Sequence, residues 1–395
     1  MSTAVKAHGM DGTLVEPDWP PLALDEVRAL LKLFPESGDA IEILSMSPRP
    51  FSAASVVATG NGHVFVKRHH RTVRVAEGLR EEHRFIQHLR AHGAVVPRVF
   101  ASADGHTAIE AGEWTYEVHE EPAGVDLYED AISWTPFRST AHAHSAGQSL
   151  ARMHNAALGF SAPPRKARPL VASFSIFASA DPASAMAHYL AARPSLAADA
   201  ATHTNCTSAL ELLAPFHAEL LPLLPALSTL WTHNDLHASN LFWSDEGHDA
   251  RAVAIIDFGL ADRTNAVHDL AHAIERNIVE WLALVQDPAH PEDAPVHLDH
   301  LLALLDGYEQ VCPLSAEEAA ALAPMTALCH AEFALTEADY FFGALNSAER
   351  AKIATDDYLV GHARWFRGAG GRRLLDVLRR WVATRARQPQ GAVKQ

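Results

Sequence analysis

The run Leu230–Ala261, LWTHNDLHASNLFWSDEGHDARAVAIIDFGLA, constrains this chain more than any other stretch. It opens on His-x-Asp-x-x-x-x-Asn (His233, Asp235, Asn240). After a strand-like apolar segment (Val253, Ile255, Ile256) it closes on Asp257-Phe258-Gly259. An acid and an amide on one loop, with a second acid on the far strand of a hairpin, bring three oxygen-bearing groups together. Such a set can hold a catalytic base and two magnesium ligands around a triphosphate. The flanking chain must then supply the other wall of a cleft.

Upstream, the residues fit that need. Leu24 to Phe34 has apolar positions at helical spacing and stops at Pro35, which predicts a short helix. Ile41–Leu44, Val56–Thr59 and His63–Lys67 read as strands, the last two joined through Gly60-Asn61-Gly62, residues that tolerate the positive φ of a tight hairpin. On the third strand Val64 and Val66 share one face, Phe65 and Lys67 the other. Glu77–His92 has an apolar helical stripe (Leu79, Phe85, Ile86, Leu89) and stops at Gly93. Further strands are expected at Arg98–Ala101, Thr107–Ile109 and Trp114–Glu120. Beyond Pro122-Ala123-Gly124 the chain turns mainly helical, with helices predicted at His142–Ala157, Thr207–Leu230, Val267–Leu284, His297–Val311, Ala316–Phe342 and Arg372–Arg385. Residues 160–200 carry no clear period.

The fold class expected is therefore α+β with two lobes: a small antiparallel sheet of about five strands with one inserted helix, and a larger helical lobe. The boundaries read as 1–40 for an arm and short helix, 41–121 for the small lobe, 122–385 for the helical lobe and 386–395 for a tail. Phosphoryl transfer needs positioning and charge neutralisation more than covalent help. In that scheme Asp235 takes or orients the acceptor's hydroxyl proton, Asn240 and Asp257 hold magnesium, Lys67 meets the phosphates, and Glu82 on the following helix holds Lys67. Each of these residues alone reads as an ordinary surface charge. Their order along the chain gives the set its weight.

With these parts in order, the chain resembles the aminoglycoside phosphotransferase / choline kinase-like family, in pieces over residues 41–275 and most specifically at His233–Asn240 and Ile256–Gly259. Asn234 stands where protein kinases usually place Arg, and no Ala-Pro-Glu motif follows Asp257-Phe258-Gly259. The resemblance implies a protein kinase-like fold and an ATP- and Mg2+-dependent transfer to a small hydroxylated molecule. It further implies that Asp269 in HDLAH is structural support. The segment SPRPFSAASVV lacks a full glycine loop, so Ser52 or Ser55 and backbone amides are expected at the γ-phosphate. The family binds its nucleotide base through backbone groups that fall here on Glu120 and Pro122. Proline has no N–H. The donor therefore comes from Glu121, or the register shifts by one, or base readout is loose, and ATP against GTP stays open.

Composition excludes some classes. The chain has 48 Asp and Glu against 32 Lys and Arg, a formal charge of −16, which opposes non-specific nucleic-acid binding. No apolar run reaches membrane length and the first residues lack a secretory apolar core. Cys206, Cys312 and Cys329 fit free thiols in a reducing, cytoplasmic setting. His88/His92 and His268/His272 have metal-ligand spacing but no third ligand nearby, and read as surface or capping histidines. For the acceptor, Arg263 and Arg276 suit an anionic group; Asp262, Glu275, Trp281, Glu332, Glu337 and Asp339 suit a cationic one. An amino alcohol, an aminoglycoside and a hydroxy-amino acid all remain open, as do protein Ser/Thr phosphorylation and nucleotide binding without turnover.

Overall fold

The protein was analysed as a computed structural model, which describes His8 and residues 16–166, 169–285 and 294–385. The tail at 386–395 and most of the N-terminal arm lie outside the described residues. Helix α1 (Leu24–Leu31) buries Val27, Leu30 and Leu31. These pack on a five-stranded antiparallel sheet of order β1-β2-β3-β5-β4, formed by β1 (Ala40–Met46), β2 (Ala53–Thr59), β3 (Gly62–His70), β4 (Ala108–Ala111) and β5 (Trp114–Glu120). Val57, Val64, Val66 and Val118 face α1 and close the small-lobe core. Helix α2 (Ala76–Ala91) follows β3, with Leu79, Phe85, Ile86 and Leu89 buried as their spacing predicts. Arg98–Ala101, expected as a strand, only runs beside β5 through one bridge, Val99 to His119.

Where the chain leaves β5 it is tied to the large lobe. Gly124 has φ +114, and a Cβ there would lie 2.5 Å from the Trp243 carbonyl oxygen. Only glycine combines that backbone with that approach. Val125 and Trp243 then exchange backbone hydrogen bonds of 2.8 and 2.9 Å, so the connection is pinned to β7 (Leu241–Trp243), which pairs with β8 (Ala252–Ile255) as the predicted hairpin. A second pair, β6 (Thr229–Thr232) and β9 (Asp262–Asn265), braces the loops on either side.

The helices around these hairpins are α3 (Thr140–Ala157), α4 (Pro182–Ala191), α5 (Pro194–Ala197), α6 (Ala200–Leu220), α7 (Ala266–Ile278), α8 (Leu298–Val311), α9 (Ala316–Leu328), α10 (His330–Gly343), α11 (Ala348–Ile353), α12 (His362–Arg367) and α13 (Ala369–Arg385), with a π-helical segment at Ala354–Gly361. Four differ from expectation. The single helix expected over Ala316–Phe342 divides at Cys329, and the one expected to reach Leu284 stops at Ile278. The Thr207–Leu230 helix begins earlier and ends at Leu220, and the irregular 160–200 stretch holds α4 and α5. Helices α3 and α8 meet backbone to backbone: a Cβ on Gly307 would sit 2.0 Å from the His144 carbonyl oxygen, and one on Gly147 2.1 Å from that of Leu304. Among the described residues no helix is long and apolar enough to cross a membrane.

Candidate active site

The His233–Asn240 loop is held by one carboxylate. Asp269, fully buried on the first turn of α7, accepts the backbone N–H of His233 (2.9 Å) and of Asn234 (2.7 Å), and contacts His154 Nε2 of α3 at 2.9 Å. Burial raises an acid's pKa, but these bonds outweigh it and hold Asp269 below the usual range. Asn234 takes φ +61, a strained backbone for a non-glycine residue. Its side chain compensates by accepting from Thr232, Thr264 and His268 and donating to Ala172 and Leu260 carbonyls. His233 donates from Nε2 to the Ile256 carbonyl (2.9 Å) and accepts the Asp235 N–H at Nδ1 (3.2 Å), a tautomer set by that network. The loop and the Asp257 strand are thereby locked in register.

Four of the expected side chains meet there. Asp257, at φ +58, accepts from Lys67 Nζ at 2.9 Å. Burial alone would raise the Asp257 carboxyl, yet Lys67 holds it well below the usual range. Burial alone would lower Lys67, yet Asp257, Glu117 and Glu82 hold it above the usual lysine value. Asn240 donates to the Asp235 backbone carbonyl at 2.9 Å, and its side-chain oxygen has no hydrogen-bond partner among the described residues. Asp235 is pushed up to about 6 by burial, against the opposing pull of Arg276 and His233. Arg276, buried on α7, donates from Nη1 to Asp235 Oδ1. Asp235, Asn240, Asp257, Lys67 and Ser52 line a single cavity of ≈ 500 Å³, a size that suits a small ligand.

The other expected residues fall elsewhere. Ser55 pairs with Val66, on the sheet face of Val57 and Val64; strand alternation turns its hydroxyl into the small-lobe core, away from the face that carries Lys67. Glu82, expected to hold Lys67, instead faces Arg165, whose Nη2 lies 3.4 Å from its carboxylate, while Lys67 goes to Asp257. The Glu120 carboxylate pairs with Arg90 and that of Glu121 with His63, leaving only their backbone for a base. Of the acceptor candidates, Arg276 and Glu337 line the cavity. Arg263 opens onto another hollow beside Phe160 and Trp231. Glu275 is bound to His362 and Trp281 stacks on that ring. Glu332 accepts the amides of Ser175 and Ile176, and Asp262 those of Arg165 and Arg263. Asp339 lies beside Arg193. His268 and His272 are buried, not surface groups.

Three arginines escaped sequence reading. Arg165 and Arg74 both donate to the Gly259 carbonyl, and Arg165 also to that of Gly78, so the Asp257 loop is fastened to α2. Arg49, in the turn between β1 and β2, reaches across to the Ala131 carbonyl at 3.0 Å. No local spacing announces partners this distant in the chain.

Comparison with known proteins agrees with this geometry. The sequence profile of the phosphotransferase enzyme family matches residues 51–314. Among solved structures, the chain resembles a microcompartment-associated aminopropanol kinase (TM-score 0.58, 19% identity, covering 89% of this chain and 100% of that one). It also resembles amicoumacin kinase in complex with AMP-PNP, Ca2+ and Ami (0.52, 14%, 86% and 92%) and the GDP complex of aminoglycoside 2'-phosphotransferase-IIIa (0.51, 13%, 86% and 98%). A search of curated proteins gives no match. At these identities the structural likeness speaks for the fold, a kinase-like one, and the profile speaks for the family: the chain belongs to the phosphotransferase enzyme family.

Proposed function

We propose that this protein transfers the γ-phosphate of ATP, with magnesium, to a hydroxyl of a small molecule. The observation that carries the reading is the convergence of Lys67, Asp235, Asn240 and Asp257 on one cavity. Asp235 receives the hydroxyl proton as the acceptor oxygen bonds to the γ-phosphorus; the bond from that phosphorus to the β-bridging oxygen breaks and the nucleoside diphosphate leaves. A base raised to about 6 is ionised at neutral pH yet basic enough to take the proton. Lys67 orients and neutralises the phosphates, and Ser52 reaches them from the turn before β2. Asp257 and Asn240 would hold magnesium: both offer hard oxygen donors to the cavity, and the Asn240 oxygen is unpaired among the described residues. Bound magnesium would neutralise charge on the β- and γ-phosphates. Pro122 has no N–H for the nucleotide base, so the donor is the backbone N–H of Glu121, or the register shifts by one, or base readout is loose.

Small hydroxylated acceptors are favoured by the likeness to the aminopropanol and amicoumacin kinases and by the size of the cavity, whose far end is built from Trp134, Arg276, Phe333, Glu337 and Tyr358. Nucleoside diphosphate release, measured with ATP or GTP, with and without magnesium, against hydroxylated amines, hydroxy-amino acids and aminoglycosides, tests this. The expected result is release that requires both an acceptor and magnesium. Labelling of a protein but of no small molecule would transfer the assignment to a protein kinase-like activity.

A further inference from the structure

Behind Lys67, between the sheet and α2, Glu117 gathers three histidines: His69, which also lines the cavity, and His83 and His119, which do not. Glu117 stands beside Lys67 in the β3–β5 register and is buried at 1% exposure. Its Oε2 lies 2.6 Å from His83 Nε2 of α2 and 2.9 Å from His119 Nε2 of β5; its Oε1 lies 2.9 Å from His69 Nε2 of β3. The His83 and His119 rings are nearly perpendicular, 78°, with their Nε2 edges turned to the same oxygen. One ligand atom from each of His83, Glu117 and His119 falls within 4.8 Å of the others.

We propose that His83, Glu117 and His119 form a site for a divalent transition-metal ion, zinc in particular, that clamps α2 to β5. Two imidazoles and a carboxylate are a common zinc set, with water to complete four-coordination. An outer shell is also in place. Thr107 Oγ1 meets the remaining nitrogen of His83 at 2.8 Å and fixes that ring, while His69 orients the far carboxylate oxygen. His119, whose side chain is 12% exposed, gives the site its opening. This site shares no residue with the proposed magnesium pair Asn240 and Asp257, so it stands or falls apart from the phosphotransferase reading.

The test is zinc content by elemental analysis after incubation with zinc and exhaustive dialysis, on the full chain. It is run beside visible absorption of the cobalt(II)-loaded protein, the doubly substituted His83→Gln/His119→Gln variant, and a His297→Ala/His300→Ala control that removes a separate histidine pair at the start of α8. The expected result is about one zinc per chain and a tetrahedral cobalt spectrum in the wild type and the control, and at least a tenfold weaker retention in the His83/His119 variant. Wild-type protein that dialyses free of zinc and shows only octahedral cobalt overturns the proposal without need of a variant. So does a His83/His119 variant that keeps its zinc. Should that variant not fold, His119→Gln alone, at the exposed side of the site, carries the comparison.

Discussion

Asp235 and Arg276 form a pair whose disruption separates folding from chemistry. Arg276 is 1% exposed, its guanidinium carbon lies 4.2 Å from the centre of the Phe333 ring, and its Nε and Nη2 find no hydrogen-bond partner among the described residues. Asp235 is the only acid with which it forms an ion pair among the described residues. Changing Asp235 to Asn keeps the side-chain volume but leaves a buried cation without its counter-charge, a loss of about 3–5 kcal/mol. Changing Arg276 to Gln costs less, because the Asp235 carboxyl, already raised to about 6 by burial, moves higher still and takes up a proton instead of staying charged. Removing both charges together should recover ~2–3 kcal/mol of the Asp235→Asn loss, a coupling read by urea denaturation of the four proteins of the cycle. Turnover should not follow stability. Both proteins lacking the Asp235 carboxylate should lose about 10²–10⁴-fold in kcat. Arg276→Gln should keep activity at alkaline pH and lose it towards acid, its acidic limb displaced upward from about 6. If Asp235→Asn is as stable as wild type, or the double variant no more stable than Asp235→Asn, the charge balance described here is wrong. Turnover in the double variant would remove Asp235 as the base.

Two further outcomes follow from the packing. Gly307→Ala places a methyl 2.0 Å from the His144 carbonyl, backbone against backbone, so α3 and α8 must separate; a loss of ~2–3 kcal/mol is expected in urea melts, and a change below measurement would mean that the helices cross less tightly than described. Glu337 lines the cavity with its carboxyl lifted by burial to about 7, against the pull of Arg276 and Arg350, so it is largely neutral below that pH and charged above it. The KM of a cationic acceptor should fall as pH rises through 7, and Glu337→Gln should flatten that dependence; an unchanged profile in the variant would exclude Glu337 from acceptor binding.

The end of the cavity around Lys67 and Asp257 was legible because its residues are set by short-range rules. Asp235 and Asn240 share one loop, Asp257 follows closely on a strand whose hairpin partner begins just after Asn240, and Lys67 follows the alternation of β3. The same alternation misled at Ser55, where register decides the face and a single position turns a hydroxyl from cleft to core. Glu82 was misassigned for a different reason. Its partner Arg165 lies in a proline-rich stretch with no period to betray it, and competition between Arg165 and Lys67 for one carboxylate is settled only in three dimensions. His69, His83, Glu117 and His119 likewise show no ligand spacing, since a strand, a helix and a second strand must pack before their nitrogens meet.

The far end of the cavity follows the same logic and sharpens the question of the acceptor. Trp134 comes from the connection before α3, Arg276 from α7, Phe333 and Glu337 from α10, and Tyr358 from the π-helical segment. Their meeting depends on how whole helices cross, which hydrophobic periodicity does not encode. Arg276 also spends one of its N–H donors on Asp235, so it enters acceptor binding only with those it has left. An acceptor anion taken up there would draw the guanidinium's charge away from Asp235 and raise the basicity of the very carboxylate that must accept the hydroxyl proton. A cationic acceptor would instead have to find Glu337 ionised. The two classes are therefore distinguished by the direction in which acceptor binding moves the pH profile: toward higher pH for the acidic limb with an anion at Arg276, and dependence on a group near 7 with a cation at Glu337.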